Sequence, residues 1–123
     1  DVIAAPEARG FILAAPLARH FGVGLALIRK PGKLPAATLS HTYSLEYGND
    51  TLEMHADSFE GMGSPRVLIV DDVLATGGTA AASAELIKSA GGVPVSLAVL
   101  IELAALNGRK TLSDMTVRSV LSY

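Results

Sequence analysis

The sequence predicts an α/β fold: a doubly wound, mainly parallel five-stranded sheet with one β-hairpin inserted into it. Three observations lead there. Val67 to Val70 form a continuous apolar run without polar alternation, which suits a strand buried on both faces of a parallel sheet. Short apolar runs alternate with helical patterns along the chain, the arrangement that builds β-α-β units with right-handed crossovers. A glycine-rich loop follows the central run, at the place where open α/β sheets bind ligands beyond the carboxyl ends of their strands.

Val2 to Ala5 read as a short buried strand, followed by Pro6-Glu7-Ala8-Arg9-Gly10. Phe11 to Phe21 read as a helix, with apolar residues at 11, 13, 14, 17, 18 and 21 and Gly22 as its stop. Pro16 inside this pattern predicts a kink or a later helix start. His20 falls in the last turn, where a cation suits the helix dipole, and reads as a surface histidine. Val23 to Ile28 form a second strand that runs into Arg29-Lys30-Pro31-Gly32-Lys33. Short basic runs are ordinarily solvated turns, but this one is pinned by proline and glycine at the end of a parallel strand and points to an anion.

Ser40 to Tyr47 alternate, with Tyr43, Leu45 and Tyr47 on one face and Thr42, Ser44 and Glu46 on the other. Gly48-Asn49-Asp50 read as the turn, and Thr51 to His55 return with Leu52 and Met54 on one face. Residues 40–56 are therefore an inserted hairpin, a candidate lid over a ligand. His41 and His55 lie in it with no metal partner at useful spacing. Asp57 to Gly63 give a short helical turn and loop, and Ser64-Pro65 lead into the central strand. The helix after Thr79 runs to about Ala90, with Thr79 as N-cap and Gly91-Gly92 as its end. Val93 to Ile101 make the fourth parallel strand. Leu103 to Lys110 hold a short helix ending near Asn107-Gly108, and Val117 to Leu121 make the last strand.

Half of the 123 residues are hydrophobic, enough for one core in one domain. A formal net charge of −2 gives no general basic field for nucleic acid. The absence of cysteine excludes disulfides, thiolate catalysis and cysteine-based zinc sites. No apolar run reaches the ~18 residues of a membrane span, and no signal peptide is visible. The missing initiator Met and the abrupt start in a strand predict that an N-terminal part is lacking.

The chemistry concentrates between Val67 and Ala80, V-L-I-V-D-D-V-L-A-T-G-G-T-A. The strand is expected to stop at Asp71 and Asp72. Gly77 and Gly78 let backbone N–H groups approach an anion closely. Thr76 and Thr79 add hydroxyls, and the next helix points its positive end at the same place. This is a seat for a phosphate. The paired acids would repel phosphate, so they accept hydrogen bonds from sugar hydroxyls instead. An acid pair for a diol beside an N–H cradle for a phosphate describes a ribose 5-phosphate. Two adjacent acids ending a core strand are costly without a task, which weighs against an incidental turn. Neither G-x-x-x-x-G-K-[ST] nor G-x-G-x-x-G occurs.

This stretch resembles the phosphoribosyl-diphosphate binding motif of the type I phosphoribosyltransferases. E-A-R-G-F at 7–11, R-K-P-G-K-L-P at 29–35, Y-S-L-E-Y-G at 43–48, and I-E-L with L-N-G-R near the end extend the resemblance over essentially the whole chain. They narrow it to the adenine phosphoribosyltransferases. The resemblance implies purine salvage: transfer of phosphoribose from phosphoribosyl diphosphate to adenine, giving AMP and diphosphate, with magnesium (Mg2+) required. By position it implies Asp71 and Asp72 on the ribose hydroxyls, and Ala75, Thr76, Gly77, Gly78 and Thr79 on the 5′-phosphate. Glu7, Ala8 and Gly10 match the loop that meets diphosphate, with Arg9 near both diphosphate and base. Arg29, Lys30 and Lys33 match cations facing diphosphate. Glu46 and Tyr47 match the flexible-loop pair, with Glu46 as the candidate proton-transfer residue.

Glu46 and Arg9 are thus the catalytic candidates. Magnesium is expected to sit mainly on substrate oxygens and waters, assisted by Asp71 and Asp72, with no direct protein cage. The resemblance further implies a cytoplasmic homodimer without nucleic-acid or membrane partners. Family members carry several dozen residues before the first strand, forming part of a hood over the base. Residues 1–123 are expected to be the single core domain without that hood. Two other readings stay open: a transferase acting on another purine, and a non-catalytic regulator that binds the phosphoribosyl ligand. Regulators of that kind ordinarily carry a DNA-binding segment, and no recognition-helix pattern appears here.

Overall fold

The computed structural model describes residues 1–123. The first half of the chain holds β1 (Val2–Pro6), α1 (Arg9–Phe21), β2 (Gly24–Ile28), β3 (Thr38–Leu45) and β4 (Gly48–His55). The second half holds β5 (Arg66–Leu74), α2 (Gly78–Ser89), β6 (Val93–Glu102) and β7 (Thr116–Ser122). Five strands lie side by side in the order β2-β1-β5-β6-β7, every neighbouring pair parallel. β3 and β4 form a separate antiparallel pair, so the expected sheet with its inserted hairpin is what forms.

Side-chain alternation along the strands divides the core in two. Val2 and Ala4 of β1 pack with Val67 and Ile69 of β5, with α2, and with Leu52 and Met54 of the hairpin. Ile3 and Ala5 pack instead with Ala14 and Ala18 of α1 and with Val70. Strands covered on both faces need apolar residues at every position, which is why β1 and the start of β5 show no alternation. Leu86 and Ile87 of α2 are fully buried, each worth roughly 1.5–3 kcal/mol of hydrophobic stabilisation.

Several local expectations are corrected by these elements. α1 starts at Arg9 and continues through Pro16, so the later start does not occur. Pro16 lies on the exposed side, where its missing N–H does not disturb the core. Gly22 does end the helix, at φ +66° with its N–H returned to the Ala18 carbonyl. β5 does not stop at the acid pair but runs to Leu74, because β6 continues alongside it as far as Leu74 opposite Glu102. Residues 57–63 form the expected turn and loop, with the Glu60 N–H bonded to the Asp57 carbonyl at 3.0 Å, and Gly61 and Gly63 at φ +75° and +71° prevent a longer helix.

The hairpin turn is also displaced. Leu45 pairs with Gly48 and Tyr43 with Asp50, which leaves Glu46 and Tyr47 as the two-residue tip and draws Gly48-Asn49-Asp50 into β4. That register joins the Thr42 and Thr51 hydroxyls at 2.8 Å and sends Leu52 and Met54 into the core. Instead of one short helix, residues 103–112 form two 3₁₀ turns, Ala104–Leu106 and Gly108–Leu112. Asn107, left-handed at φ 54°, separates them.

Candidate active site

Glu7, Ala8, Arg9, Asp71, Asp72 and all of Ala75 to Thr79 line one cleft of about 410 Å³ at the carboxyl ends of β1 and β5. The sequence distributes these groups over 73 positions, and parallel pairing of β1 with β5 makes them neighbours. Arg29, Lys30, Lys33, Glu46 and Tyr47 do not line that cleft. Arg29 and Lys30 reach it through Glu7, whose carboxylate accepts the Lys30 backbone N–H at 2.6 Å and lies 3.3 Å from the Arg29 Nε. Glu7 therefore lines the cleft and at the same time shapes the cationic loop. Lys33 is exposed, and Glu46 and Tyr47 stand at the solvent-exposed hairpin tip, Tyr47 with 91% of its surface open.

The loop Ala75–Thr79 has the expected glycine backbone with a different cap. Gly77, at φ +89°, is the N-cap of α2, and no side chain caps the helix. Thr79 sits inside the first turn, and its hydroxyl lies 3.4 Å from the Tyr43 hydroxyl. Thr79 is thus not the N-cap, and the orphan N–H groups of that turn keep no side-chain partner. Free donors at the positive end of a helix are what an anionic oxygen requires.

A support that sequence reasoning missed lies behind the loop. The turn at Gly108–Leu112 presses against it: the Thr111 hydroxyl donates to the Thr76 carbonyl at 3.0 Å. A Cβ on Gly108 would collide with the Ala75 carbonyl oxygen. The sequence marks Gly108 as a helix end and as part of L-N-G-R, and its packing role becomes visible once 75–77 and 108–111 are in contact. Arg109 next to it makes a bidentate pair with the nearly buried Glu102, at 2.7 and 2.6 Å, and holds this turn to β6.

The two acids differ sharply. Burial pushes the Asp71 carboxyl up to about 7, and the neighbouring Asp72 adds to the rise. Gly10 contributes to that burial by bringing α1 close; a Cβ there would lie 3.0 Å from the Val70 carbonyl and 3.2 Å from Asp71 Oδ1. Desolvation also acts on Asp72, but the Arg9 guanidinium and the hydrogen bond from Asp71 outweigh it and hold Asp72 below its ordinary value. One carboxylate is thus charged and occupied by Arg9, and the other holds its proton to near neutrality.

The pH consequence follows from the signs. Asp71 binds its proton more tightly when folded, so its stabilising effect is full below about pH 3.8 and is lost as pH rises towards 7. Asp72 behaves oppositely, adding stability above 3.8 that is lost as pH falls below it. Asp71→Asn is therefore expected to raise the melting temperature relative to the unaltered chain more at pH 8 than at pH 5. The slope removed is at most about 1.4 kcal/mol per pH unit. Thermal melts at the two pH values measure it, and an equal shift at both would refute the assignment.

Comparison with known proteins agrees with this geometry. The phosphoribosyl transferase domain family model matches residues 1–122. An adenine phosphoribosyltransferase of Thermoanaerobacter pseudethanolicus is 56% identical over 124 residues, covering 100% of this chain and 70% of that protein. The crystal structure of the adenine phosphoribosyltransferase from the same organism superimposes with a TM-score of 0.92 at 54% identity, again over 100% of this chain and 70% of that one. The Saccharomyces cerevisiae adenine phosphoribosyltransferase, crystallised with an imino-altritol bisphosphate and adenine, gives a TM-score of 0.88 at 37% identity, covering 98% of this chain and 66% of that one. With its acid pair and glycine-rich loop at the head of a five-stranded parallel sheet, the chain belongs to the phosphoribosyltransferase domain family and, within it, to the adenine phosphoribosyltransferases.

Proposed function

We propose that this chain serves purine salvage by transferring phosphoribose from phosphoribosyl diphosphate to adenine, releasing AMP and diphosphate. The observation that carries the reading is the single cleft in which an acid pair and an uncapped helix N-terminus stand side by side. A relative that holds adenine together with a sugar bisphosphate supports the same pairing of ligands. In the reaction the C–O bond to diphosphate breaks and its electron pair leaves with the diphosphate oxygen. A C–N bond to adenine forms, and the adenine ring proton passes to a base.

The chain's own residues divide that work. N–H groups of Gly78 and Thr79 and the Thr76 hydroxyl seat the 5′-phosphate, and Asp71 and Asp72 accept the ribose hydroxyls. A diol that engages Asp72 displaces Arg9, whose guanidinium is then free for the departing diphosphate beside Arg29, Lys30 and Lys33. Glu46 and Tyr47 ride on the tip of the 40–56 hairpin, which closes as a lid, and Glu46 takes the adenine proton in a site emptied of water. Asp71 and Asp72 line the cleft, and with Asp71 deprotonated and Asp72 released by Arg9 they would fit magnesium carried on substrate oxygens with one or two carboxylates assisting. Bound there, magnesium would neutralise the charge gathering on diphosphate.

A two-subunit assembly and a cytoplasmic setting complete the proposal; no helix is long and apolar enough to cross a membrane. AMP formation from adenine, phosphoribosyl diphosphate and Mg2+, with guanine and hypoxanthine run in parallel, is the test. Adenine-selective turnover is expected. No turnover combined with no rise in melting temperature on adding AMP would overturn the reading.

A further inference from the structure

Three of the four cations assigned to the site already have carboxylate partners: Arg9 has Asp72, Arg29 has Glu7, and Lys30 has Asp50. Asp50 is the one partner outside the assigned site, and it sits where three parts of the fold meet. Its register position on β4 is directly opposite Tyr43 of β3. One of its oxygens, Oδ2, takes both the Lys30 ammonium and the Tyr43 hydroxyl, the latter at 3.3 Å, while Oδ1 takes the Thr51 N–H at 2.9 Å. The Tyr43 hydroxyl in turn lies 3.4 Å from the Thr79 hydroxyl in the first turn of α2. The Tyr43 ring packs against Gly78, 3.6 Å from where a Cβ would stand.

From this geometry we infer that Asp50 is a positioning residue for the transfer reaction, clamping the hairpin that carries Glu46 and Tyr47 to the cationic loop through Lys30 and to the phosphate loop through Tyr43. The inference rests on the proposed function for its catalytic consequence, and on the contact geometry alone for the clamp.

The root of the hairpin is held in two ways that differ in kind. Leu52 and Met54 are buried, and Arg29 and Glu53 exchange backbone hydrogen bonds at 2.8 and 2.7 Å; neither fastening responds to a ligand. The Asp50 cluster does respond, because its donors belong to the loops that hold anions. Lys30 Nζ cannot give its full charge to Asp50 and to a diphosphate at once. An incoming diphosphate therefore loosens the Lys30 contact, while a phosphate seated on α2 steadies Thr79 and, through it, Tyr43. The tip is three residues from Tyr43 along β3 and three from Asp50 along β4, so a small change at this cluster is carried directly to Glu46. Lys30 also holds the Asp50 carboxyl below its ordinary value against desolvation, so the group stays charged at neutral pH.

Asp50→Asn keeps the shape and removes the charge; Tyr43→Phe removes only the hydroxyl. For Asp50→Asn, kcat for AMP formation is expected to fall about tenfold, while KM for phosphoribosyl diphosphate stays unchanged or drops because Lys30 is released to the ligand. Tyr43→Phe should move kcat the same way, and the double variant should be less than additive. Amide hydrogen exchange supplies a readout independent of turnover: in both variants residues 38–55 should exchange faster while the sheet β2-β1-β5-β6-β7 is unchanged. A raised KM with unaltered kcat, or exchange that is unaltered or accelerated uniformly along the chain, would overturn the clamp. If the unaltered chain neither makes AMP nor melts higher on adding AMP, the functional reading fails, and the exchange measurement alone decides whether Asp50 clamps the hairpin.

Discussion

Gly77→Ala is expected to reduce the affinity for AMP at least tenfold and to lower stability by about 1–3 kcal/mol. Two separate obstacles act at that position. The backbone stands at φ +89°, a conformation that L side chains rarely adopt, and a Cβ would lie 2.7 Å from the Gly108 carbonyl oxygen and 3.0 Å from the Thr111 Cβ. Both neighbours belong to the turn that braces the loop from behind, so relief requires the loop itself to move. Moving it re-aims the N–H groups at the start of α2. Gly78→Ala is the matched comparison, since a Cβ there meets the Tyr43 ring at 3.6 Å and the Thr76 Oγ1 at 3.9 Å, both ordinary contacts, and the residue is already helical. It should melt close to the unaltered chain. Calorimetric titration of AMP with thermal melts of both variants checks the pair; normal AMP affinity in Gly77→Ala would show that the phosphate seat does not depend on this backbone.

Glu46→Gln should lower turnover by roughly 10²–10⁴-fold, the usual span for loss of a positioned acid–base group. Affinity for AMP and the melting temperature should change little. Glu46 is exposed at the hairpin tip and makes no side-chain hydrogen bond or ion pair in this structure, so nothing in the fold depends on its charge. The glutamine keeps the size and loses only the capacity to take a proton. Steady-state kinetics with adenine, alongside AMP binding, separates the two effects. Intact turnover would remove Glu46 from the proton path and leave the hairpin as a shield.

Much of the architecture was legible because it is written in local periodicity. An apolar residue at every position of Val67–Val70 announces a strand covered on both faces, and the two core clusters around β5 show that coverage. Gly22 and the T-G-G-T loop were readable for a similar reason, since a left-handed or closely approached backbone restricts which residue can stand there. Errors arose where a local signal competed with pairing. Gly48-Asn49-Asp50 has turn composition, but burying Leu52 and Met54 requires those residues in β4 and hands the turn to Glu46-Tyr47. Thr79 has N-cap chemistry, but its hydroxyl is directed to Tyr43 and Gly77 takes the cap.

The order of the elements, the glycine-rich loop and the acid pair each depend on residues a few positions apart, so they can be read along the chain. How the charges are shared follows from tertiary contacts. Arg9 meets Asp72 across 63 positions, Lys30 meets Asp50 across 20, and Gly108 comes to rest behind Ala75. Tertiary packing also makes two adjacent aspartates unlike, one half-buried with its carboxyl pushed up to about 7, the other charged beside a guanidinium. Desolvation and ion pairing depend on which distant segments end side by side, and the sheet order settles that.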